Sequence, residues 1–194
     1  MYKKMAEILS EGKIGDYSLI KFTISDKDFM AHFGMGISNG DYIRLEHKGE
    51  CVMSDTDMEK RTNYSFCRKA HGDVLIGGLG LGLIVLAIQE NPKVNHITII
   101  EKSKEVIELV GKQLPLNSKV EIINADVFSW KPSKEKKYNC IYMDIWNWIN
   151  SDIYKKEMIP LTRKYCHYLI AKDIDPSRFM DCWAKKQAKG NMRL

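Results

Sequence analysis

The feature that most constrains the fold is a glycine-rich turn between a short apolar run and an apolar helix. The run DVLI (residues 73–76) leads into GGLGLG (residues 77–82), and the segment GLIVLAIQE that starts at Gly82 predicts a helix. Short, continuous apolar runs are typical of parallel strands that are buried on both faces. Glycines let the chain turn sharply after such a strand and let a ligand approach the backbone. The segment therefore predicts a strand, a ligand-binding turn and a helix, in that order.

Strands and helices continue to alternate beyond this turn. HITIIE, KVEIINAD and YNCIYMD predict further strands, and SKEVIELVGKQL predicts an amphipathic helix capped by Ser103. We expect another helix over about residues 152–163, a last strand near His167–Ala171 and a helix that starts at Pro176. This alternation predicts an α/β fold with a doubly wound, mostly parallel, Rossmann-like sheet over residues 73–194.

Residues 1–72 have a different, β-rich pattern that predicts a small N-terminal cap. Two turns are expected: a type I′ hairpin at Asn39-Gly40, where both residue types tolerate positive φ, and a second turn at Lys48-Gly49. Thr56 and Glu59 are spaced as in a capping box, which predicts the start of a helix. The predicted elements are strands at Tyr17–Ile24, YIRLEH and ECVMS, and a helix over residues 56–71.

Composition excludes several classes of protein. Thirteen glycines and five prolines among 194 residues do not suit a collagen-like or low-complexity chain. No apolar stretch approaches the roughly 20 residues of a membrane span, and the five cysteines contain no C-x-x-C pair. We therefore expect a cytoplasmic protein with reduced thiols, no membrane contact and no metal site. The net charge of +5 is spread over scattered lysines, so we expect no nucleic-acid partner.

Acidic residues end the next three predicted strands. Glu101 lies about 20 residues beyond the glycines, where a carboxylate can accept hydrogen bonds from both hydroxyls of a ribose. Asp126 can accept a hydrogen bond from an adenine amino group, and the amide of Val127 can face a ring nitrogen. Asp144 ends the fourth strand. Because ligands of open α/β sheets bind at the carboxyl ends of the strands, these residues predict one nucleoside-binding site.

The order of glycine turn, Glu101, Asp126 and Asp144 resembles the class I S-adenosylmethionine-dependent methyltransferases over residues 73–171. The resemblance implies that the chain uses S-adenosylmethionine to methylate a small molecule or a protein amine or hydroxyl. Little chain follows the last predicted helix, so we expect about five strands and no antiparallel C-terminal hairpin of the kind those enzymes have. The implied cofactor-binding residues are Gly77, Gly78, Leu79, Gly80, Gly82, Glu101, Lys102, Asp126, Val127, Asp144 and Trp146.

Two of these residues have a further implied role. Asp144 is the candidate catalytic residue, because a carboxylate beside the reacting centre can orient an amine or hydroxyl nucleophile or accept its proton. Trp146 could stabilise a sulfonium by cation–π attraction, or could simply pack a loop onto the sheet.

A second resemblance involves the N-terminal half. The β-rich cap, MSDTDMEKRTN and VLIGGLGLG together resemble the polyamine aminopropyltransferases, or spermidine synthases, which use decarboxylated S-adenosylmethionine and are often homodimers. Those enzymes carry a second acid after the fourth strand, whereas this chain has DIWN at residues 144–147. Asp55, Asp57 and Glu59 are candidate ligands of a cationic substrate, or else ordinary acids at a helix N-terminus.

Besides aminopropyl transfer, two alternatives to methyl transfer stay open. An NAD-dependent oxidoreductase would share the glycine turn, although Leu83 occupies the position of the third glycine in its fingerprint. A non-catalytic protein could keep the fold and bind the cofactor without turnover.

Overall fold

The structure, a computed structural model, describes residues 1–190 and residue 192. The strands are β1 (Gly12–Ile14), β2 (Tyr17–Ile24), β3 (Gly40–His47), β4 (Glu50–Ser54), β5 (Gly72–Gly77), β6 (Val94–Glu101), β7 (Val120–Asn124), β8 (Cys140–Met143) and β9 (Phe179–Cys182). The α-helices are α1 (Met5–Ile8), α2 (Asp57–Lys69), α3 (Leu83–Ile88), α4 (Lys104–Leu109), α5 (Ser151–Ile153), α6 (Ile159–Tyr165) and α7 (Lys185–Gly190). The π-helical segment Tyr154–Met158 joins α5 to α6.

The larger sheet confirms the predicted α/β architecture. Its five strands are all parallel and follow the order β7-β6-β5-β8-β9, so β5 lies at the centre. This is the strand order of a doubly wound, Rossmann-like sheet. The central strand holds the buried run Val74, Leu75 and Ile76, as the apolar sequence predicts for a strand covered on both faces.

The N-terminal cap is a four-stranded antiparallel meander in the order β1-β2-β3-β4, which confirms its predicted β-rich character. The tight turn at Lys48-Gly49 is also confirmed, with φ values of 54° and 82°. The hairpin predicted at Asn39-Gly40 is wrong. Gly40 pairs with Ile24 as the first residue of β3, so residues 25–39 form a long connection in place of a two-residue turn.

The last predicted strand and helix are also wrong. Near His167–Ala171 the chain makes only an isolated bridge from Leu169 to Tyr138, and the fifth strand of the sheet is Phe179–Cys182. The next helix begins at Lys185, well beyond Pro176. The segment FMDC gives a weak strand signal because its residue Asp181 is exposed at the sheet edge. Within the described residues no strand follows β9, in agreement with the expected five-stranded sheet.

Two predicted helix starts have different outcomes. Ser103 caps α4 as predicted, since its Oγ accepts a hydrogen bond from the amide of Val106 at 3.1 Å. Thr56 stands at the N-cap of α2, but the capping box is wrong because its side chain makes no capping hydrogen bond. Its Oγ1 lies 2.9 Å from Ser54 Oγ instead, and Glu59 turns inward and is buried.

One apolar core joins the two parts of the chain. Met5, Leu19 and Ile43 of the cap belong to the same contiguous cluster as Val74 and Ile141 of the parallel sheet. The five cysteines all lie among the described residues and are free thiols. No helix in residues 1–190 is long and apolar enough to cross a membrane.

Candidate functional site

A cavity of about 590 Å³ lies at the carboxyl ends of β5, β6, β7 and β8. Open parallel sheets bind ligands at this edge, and small-molecule sites typically span about 300–1,000 Å³. Residues of β3, β4 and α2 close the cavity from the cap side. The sequence-predicted residues that line it are Glu59, Gly78, Gly80, Glu101, Lys102, Asp126, Val127, Asp144 and Trp146.

The glycine turn forms the floor of the cavity at Gly78 and Gly80. Gly78 has a φ of +96°, and a Cβ there would lie 2.2 Å from the carbonyl oxygen of Asp144. A side chain at this position would therefore push the ends of β5 and β8 apart. Gly77 and Gly82 do not line the cavity. A Cβ at these positions would meet the Sδ of Met143 and the Cδ1 of Leu114, respectively, so both glycines permit close packing.

Glu101 is held in a fixed orientation at the end of β6. Its Oε2 accepts a hydrogen bond from the amide of Leu79 at 2.8 Å, and its Oε1 accepts one from the amide of Ser103 at 2.8 Å. Burial raises the pKa of this carboxyl group, while the backbone amides oppose the rise. Leu79 is thus placed behind the cavity wall and acts through its backbone. The remaining lone pairs of Glu101 can accept hydrogen bonds from a ligand in the cavity.

Asp126 lines the same cavity just after the end of β7. Its Oδ1 accepts a hydrogen bond from the amide of Phe128 at 2.8 Å, and Lys102 Nζ lies 3.0 Å from its Oδ2. These two contacts lower the pKa of the Asp126 carboxyl group, so it is ionised at neutral pH. An ionised carboxylate can accept a further hydrogen bond from an amino group.

Two carboxyl groups meet at the other end of the cavity. Burial raises the pKa of Asp144 to about 7, and burial together with the charge of Asp144 raises the pKa of Glu59 to about 8. The nearby amide side chain of Asn63 opposes the rise at Asp144, and its Nδ2 donates a hydrogen bond to the carbonyl oxygen of Glu59 at 3.2 Å. The Oδ1 of Asn63 accepts a hydrogen bond from the hydroxyl of Tyr142 at 2.8 Å. Helix α2 thus places the carboxyl group of Glu59 near that of Asp144 in the cavity.

The wall beside this acidic pair is aromatic. Trp146 donates a hydrogen bond from Nε1 to the Oε2 of Glu157 at 2.7 Å, and both side chains line the cavity. Trp183, which lies just after β9, also lines it and donates from Nε1 to the Oγ1 of Thr62 at 3.0 Å. Glu157 sits on the π-helical segment, a helical irregularity that is frequent at functional sites.

Asp55 and Asp57 do not line the cavity. Asp55 is buried, and its carboxylate accepts hydrogen bonds from the amides of Ile43 at 2.7 Å and Met5 at 3.0 Å. Asp57 accepts a hydrogen bond from the amide of Ser38 at 2.9 Å. The structure thus gives these two acids structural contacts within the cap, and only Glu59 of the three faces the cavity.

Several lining residues carry no signal in the sequence. Tyr17 and His47 stack with ring centroids 4.5 Å apart, and Met53 of β4 covers the glycine turn, where the amide of Leu81 lies 3.4 Å from its Sδ. Glu157 lies on the π-helical segment, and its side chain lines the cavity. Each depends on long-range packing, so periodicity and motif spacing could not have identified it.

Among residues 1–190 and 192, no group of three or more His, Cys, Asp or Glu side chains is arranged to hold a metal ion.

Comparisons with known proteins give the following similarities. No model of a protein family matches the chain. Polyamine aminopropyltransferase 1 of Streptomyces coelicolor is 27% identical to this chain over an alignment of 115 residues, and the match covers 53% of this chain and 22% of that protein. The chain therefore matches less than a quarter of the length of this curated relative.

Among solved structures, the chain is similar to the CcbJ methyltransferase from Streptomyces caelestis. The identity is 15% and the TM-score 0.45, over 57% of this chain and 45% of that one. It is also similar to the N-methyltransferase NodS from Bradyrhizobium japonicum in complex with S-adenosyl-L-homocysteine. There the identity is 12% and the TM-score 0.46, over 58% of this chain and 57% of that one.

Proposed function

We propose that this chain is an S-adenosylmethionine-dependent methyltransferase. The observation that carries the proposal is that Glu101, Asp126 and Asp144, from three parallel strands, line one cavity beside the glycine turn. These three carboxyl groups suit the cofactor as hydrogen-bond acceptors. A ribose offers two hydroxyl donors, an adenine offers an amino group, and a sulfonium carries a positive charge. The volume of the cavity also suits a ligand of this size.

Each carboxylate has its own task in this proposal. Glu101 accepts hydrogen bonds from the ribose hydroxyls, and Asp126 accepts one from the adenine amino group. The bound cofactor supplies a methyl group activated by its attachment to a sulfonium. Asp144 orients the acceptor and takes the proton that its nucleophile releases.

The acceptor is an amine or a hydroxyl compound. Glu59, Asp144 and Glu157 give this end of the cavity three carboxyl groups, and Trp146 and Trp183 give it two aromatic faces. A cationic amine would favour the ionised form of these carboxyl groups, and the tryptophan faces attract it as well, so an amine is the better match. A pKa of about 7 lets Asp144 accept a proton near neutral pH.

Aminopropyl transfer from decarboxylated S-adenosylmethionine is the second candidate. The specific observation in its favour is the pairing of Glu59 with Asp144, which provides two acids for a cationic acceptor. The similarity to an aminopropyltransferase of Streptomyces coelicolor points in the same direction.

Calorimetry with four ligands tests both candidates. S-adenosylmethionine and S-adenosylhomocysteine should bind more tightly than NAD, and methyl transfer should be detected by mass spectrometry on a panel of amines, phenols and peptides. A clear preference for decarboxylated S-adenosylmethionine would replace the first candidate with the second. Binding of NAD alone would contradict both.

The role of Asp144 has its own test. Asp144→Asn should retain affinity for S-adenosylhomocysteine and lose about 10²-fold or more in turnover, because the proton acceptor is gone. Asp152→Asn, which changes an exposed acid on α5, is the matched control and should keep full turnover. Full turnover by Asp144→Asn would refute the assigned role.

A further inference from the structure

We propose that Lys164 and Tyr165 are positioning residues for the nucleoside end of the cavity. They hold the peptide unit between Val127 and Phe128 and, through it, fix the carboxylate of Asp126. The identity of the ligand rests on the proposed function, whereas the hydrogen-bonded connection is a property of the chain itself.

The two side chains come from the end of α6 and reach the loop that follows β7. Lys164 Nζ donates hydrogen bonds to the carbonyl oxygens of Val127 and Phe128, both at 2.8 Å. The hydroxyl of Tyr165 lies 2.8 Å from the same Val127 oxygen and 3.1 Å from that of Trp130. The carbonyl group of Val127 therefore has two side-chain partners from one helix.

The opposite side of the same peptide unit contacts the ligand-binding carboxylate. The carbonyl of Val127 and the amide of Phe128 belong to one planar peptide group and point in opposite directions. The Phe128 amide donates to Asp126 Oδ1 at 2.8 Å, which leaves Oδ2 toward Lys102. Because the peptide group is rigid, fixing its carbonyl also fixes its amide and hence the orientation of the carboxylate.

Burial makes this arrangement costly to lose. Tyr165 is fully buried, so its hydroxyl depends on the carbonyl oxygens of Val127 and Trp130 and has no water as a partner. The ammonium group of Lys164 is partly withdrawn from water, and this desolvation lowers its pKa. The ammonium contacts carbonyls of a distant loop and not the end of its own helix, so ordinary helix capping does not explain it.

The experiment compares Lys164→Met and Tyr165→Phe with the matched control Lys131→Met, which changes an exposed neighbouring lysine. Affinities for S-adenosylhomocysteine and for adenosine are measured by calorimetry. Lys164→Met should weaken both by roughly tenfold and by the same factor, because the nucleoside is the part they share. Lys164→Arg should restore most of the affinity, and Lys131→Met should bind as the wild type does.

Hydrogen exchange separates this inference from the proposed function. In the free protein, Lys164→Met and Tyr165→Phe should speed exchange at the Phe128 amide, while Lys131→Met should not. Unchanged exchange at Phe128 would overturn the inference, whether or not the nucleoside binds. If the wild type binds no nucleoside but Phe128 exchange responds, the proposed function fails and the positioning contact stands. Tyr165→Phe removes only a hydroxyl. If Lys164→Met does not fold, exchange at the Phe128 amide in Tyr165→Phe tests the inference.

Discussion

The carboxyl groups of Glu59 and Asp144 show how burial changes the chemistry of an acidic residue. An exposed Asp or Glu is ionised well below neutral pH, yet here the pKa values are about 7 and about 8. Desolvation is the largest cause at both residues, because a buried charge has lost its water. Such a pair can exchange protons with a substrate near neutral pH.

The raised pKa values predict a pH-dependent stability. In the folded state both groups bind protons more tightly than in the unfolded chain, so their contribution is complete below about pH 4 and is lost as the pH rises toward 8. Asp144→Asn should therefore raise the free energy of unfolding by about 2–3 kcal/mol more near pH 8 than near pH 5. Urea unfolding at the two pH values measures this difference.

The exposed Asp152 provides the control for this effect. Asp152→Asn should show no such gain between the two pH values, because its side chain lies in water. An equal change for Asp144→Asn at both pH values would show that its carboxyl group does not titrate as described.

Glu101→Gln tests the acid that joins the glycine turn to α4. The amide NH₂ of glutamine would face one of the two backbone amides that the carboxylate now accepts from, so one contact is lost. We expect a cost of about 1–3 kcal/mol in unfolding free energy and at least about tenfold weaker binding of S-adenosylhomocysteine. Glu108→Gln on α4 is the control, and an equal loss in both variants would contradict the role of Glu101.

At the level of elements, the sequence predicted best where the pattern is local. The strand Val74–Ile76 and the cap at Ser103 follow from contiguous residues, and both are present. The segment Phe179–Cys182 is a strand because β8 offers an unpaired edge, which is a tertiary cause with no local pattern. The same holds for Asn39-Gly40, where strand register overrides a favourable turn sequence.

The glycine turn gives an element-scale prediction. Gly78→Ala should cost about 2–4 kcal/mol, because a Cβ in a left-handed backbone conformation would also collide with the Asp144 carbonyl. Gly49→Ala is the control, since Gly49 also has a positive φ but has no atom within 4 Å of an added Cβ. It should cost about 1 kcal/mol. Equal losses in thermal unfolding would show that the collision is relieved without cost.

A cluster of hydrogen-bonded side chains at the amino ends of β5 and β8 gives a second prediction at the scale of elements. The carboxylate of Asp175 accepts hydrogen bonds from Asn139 at 2.7 Å and Ser177 at 2.6 Å, and lies 2.8 Å from the ring of His71. Asp175→Asn should destabilise the fold by about 1–3 kcal/mol, whereas Asp173→Asn, at an exposed position, should not.

The hydrogen bonds to Asp175 also determine whether the stability of the fold rises or falls with pH. They lower the pKa of Asp175, so its contribution is complete above the ordinary Asp pKa and is lost as the pH falls through the lowered value. A constant difference between the wild type and Asp175→Asn throughout acid unfolding would contradict this.

At the scale of the whole molecule, the cap and the parallel sheet share one core. Leu45 of β3 and Ile100 of β6 lie in the same buried cluster and both line the cavity. We expect a single cooperative transition in calorimetry, with the calorimetric and van't Hoff enthalpies equal. Two separate transitions would show that the cap and the sheet unfold independently.

The whole-molecule view also explains which parts of the candidate site were predictable. Glu101, Asp126 and Asp144 each end a strand, and topology alone brings strand ends together. Glu157 and Trp183 reach the cavity only after helices have packed onto the sheet. The part of the cavity at the strand ends could therefore be predicted from the sequence, and the part lined by Glu157 and Trp183 could not.

The central position of β5 has a consequence for synthesis on the ribosome. Val74 of β5 pairs on one side with Ile97 and on the other with Cys140, so the middle of the sheet must wait for residues made much later. Until β8 has left the exit tunnel, one edge of β5 has no partner, and its apolar residues are exposed to other nascent chains. Pairing between segments so far apart in the chain is slow, so we expect the interval before β8 emerges to be the step that chaperones assist.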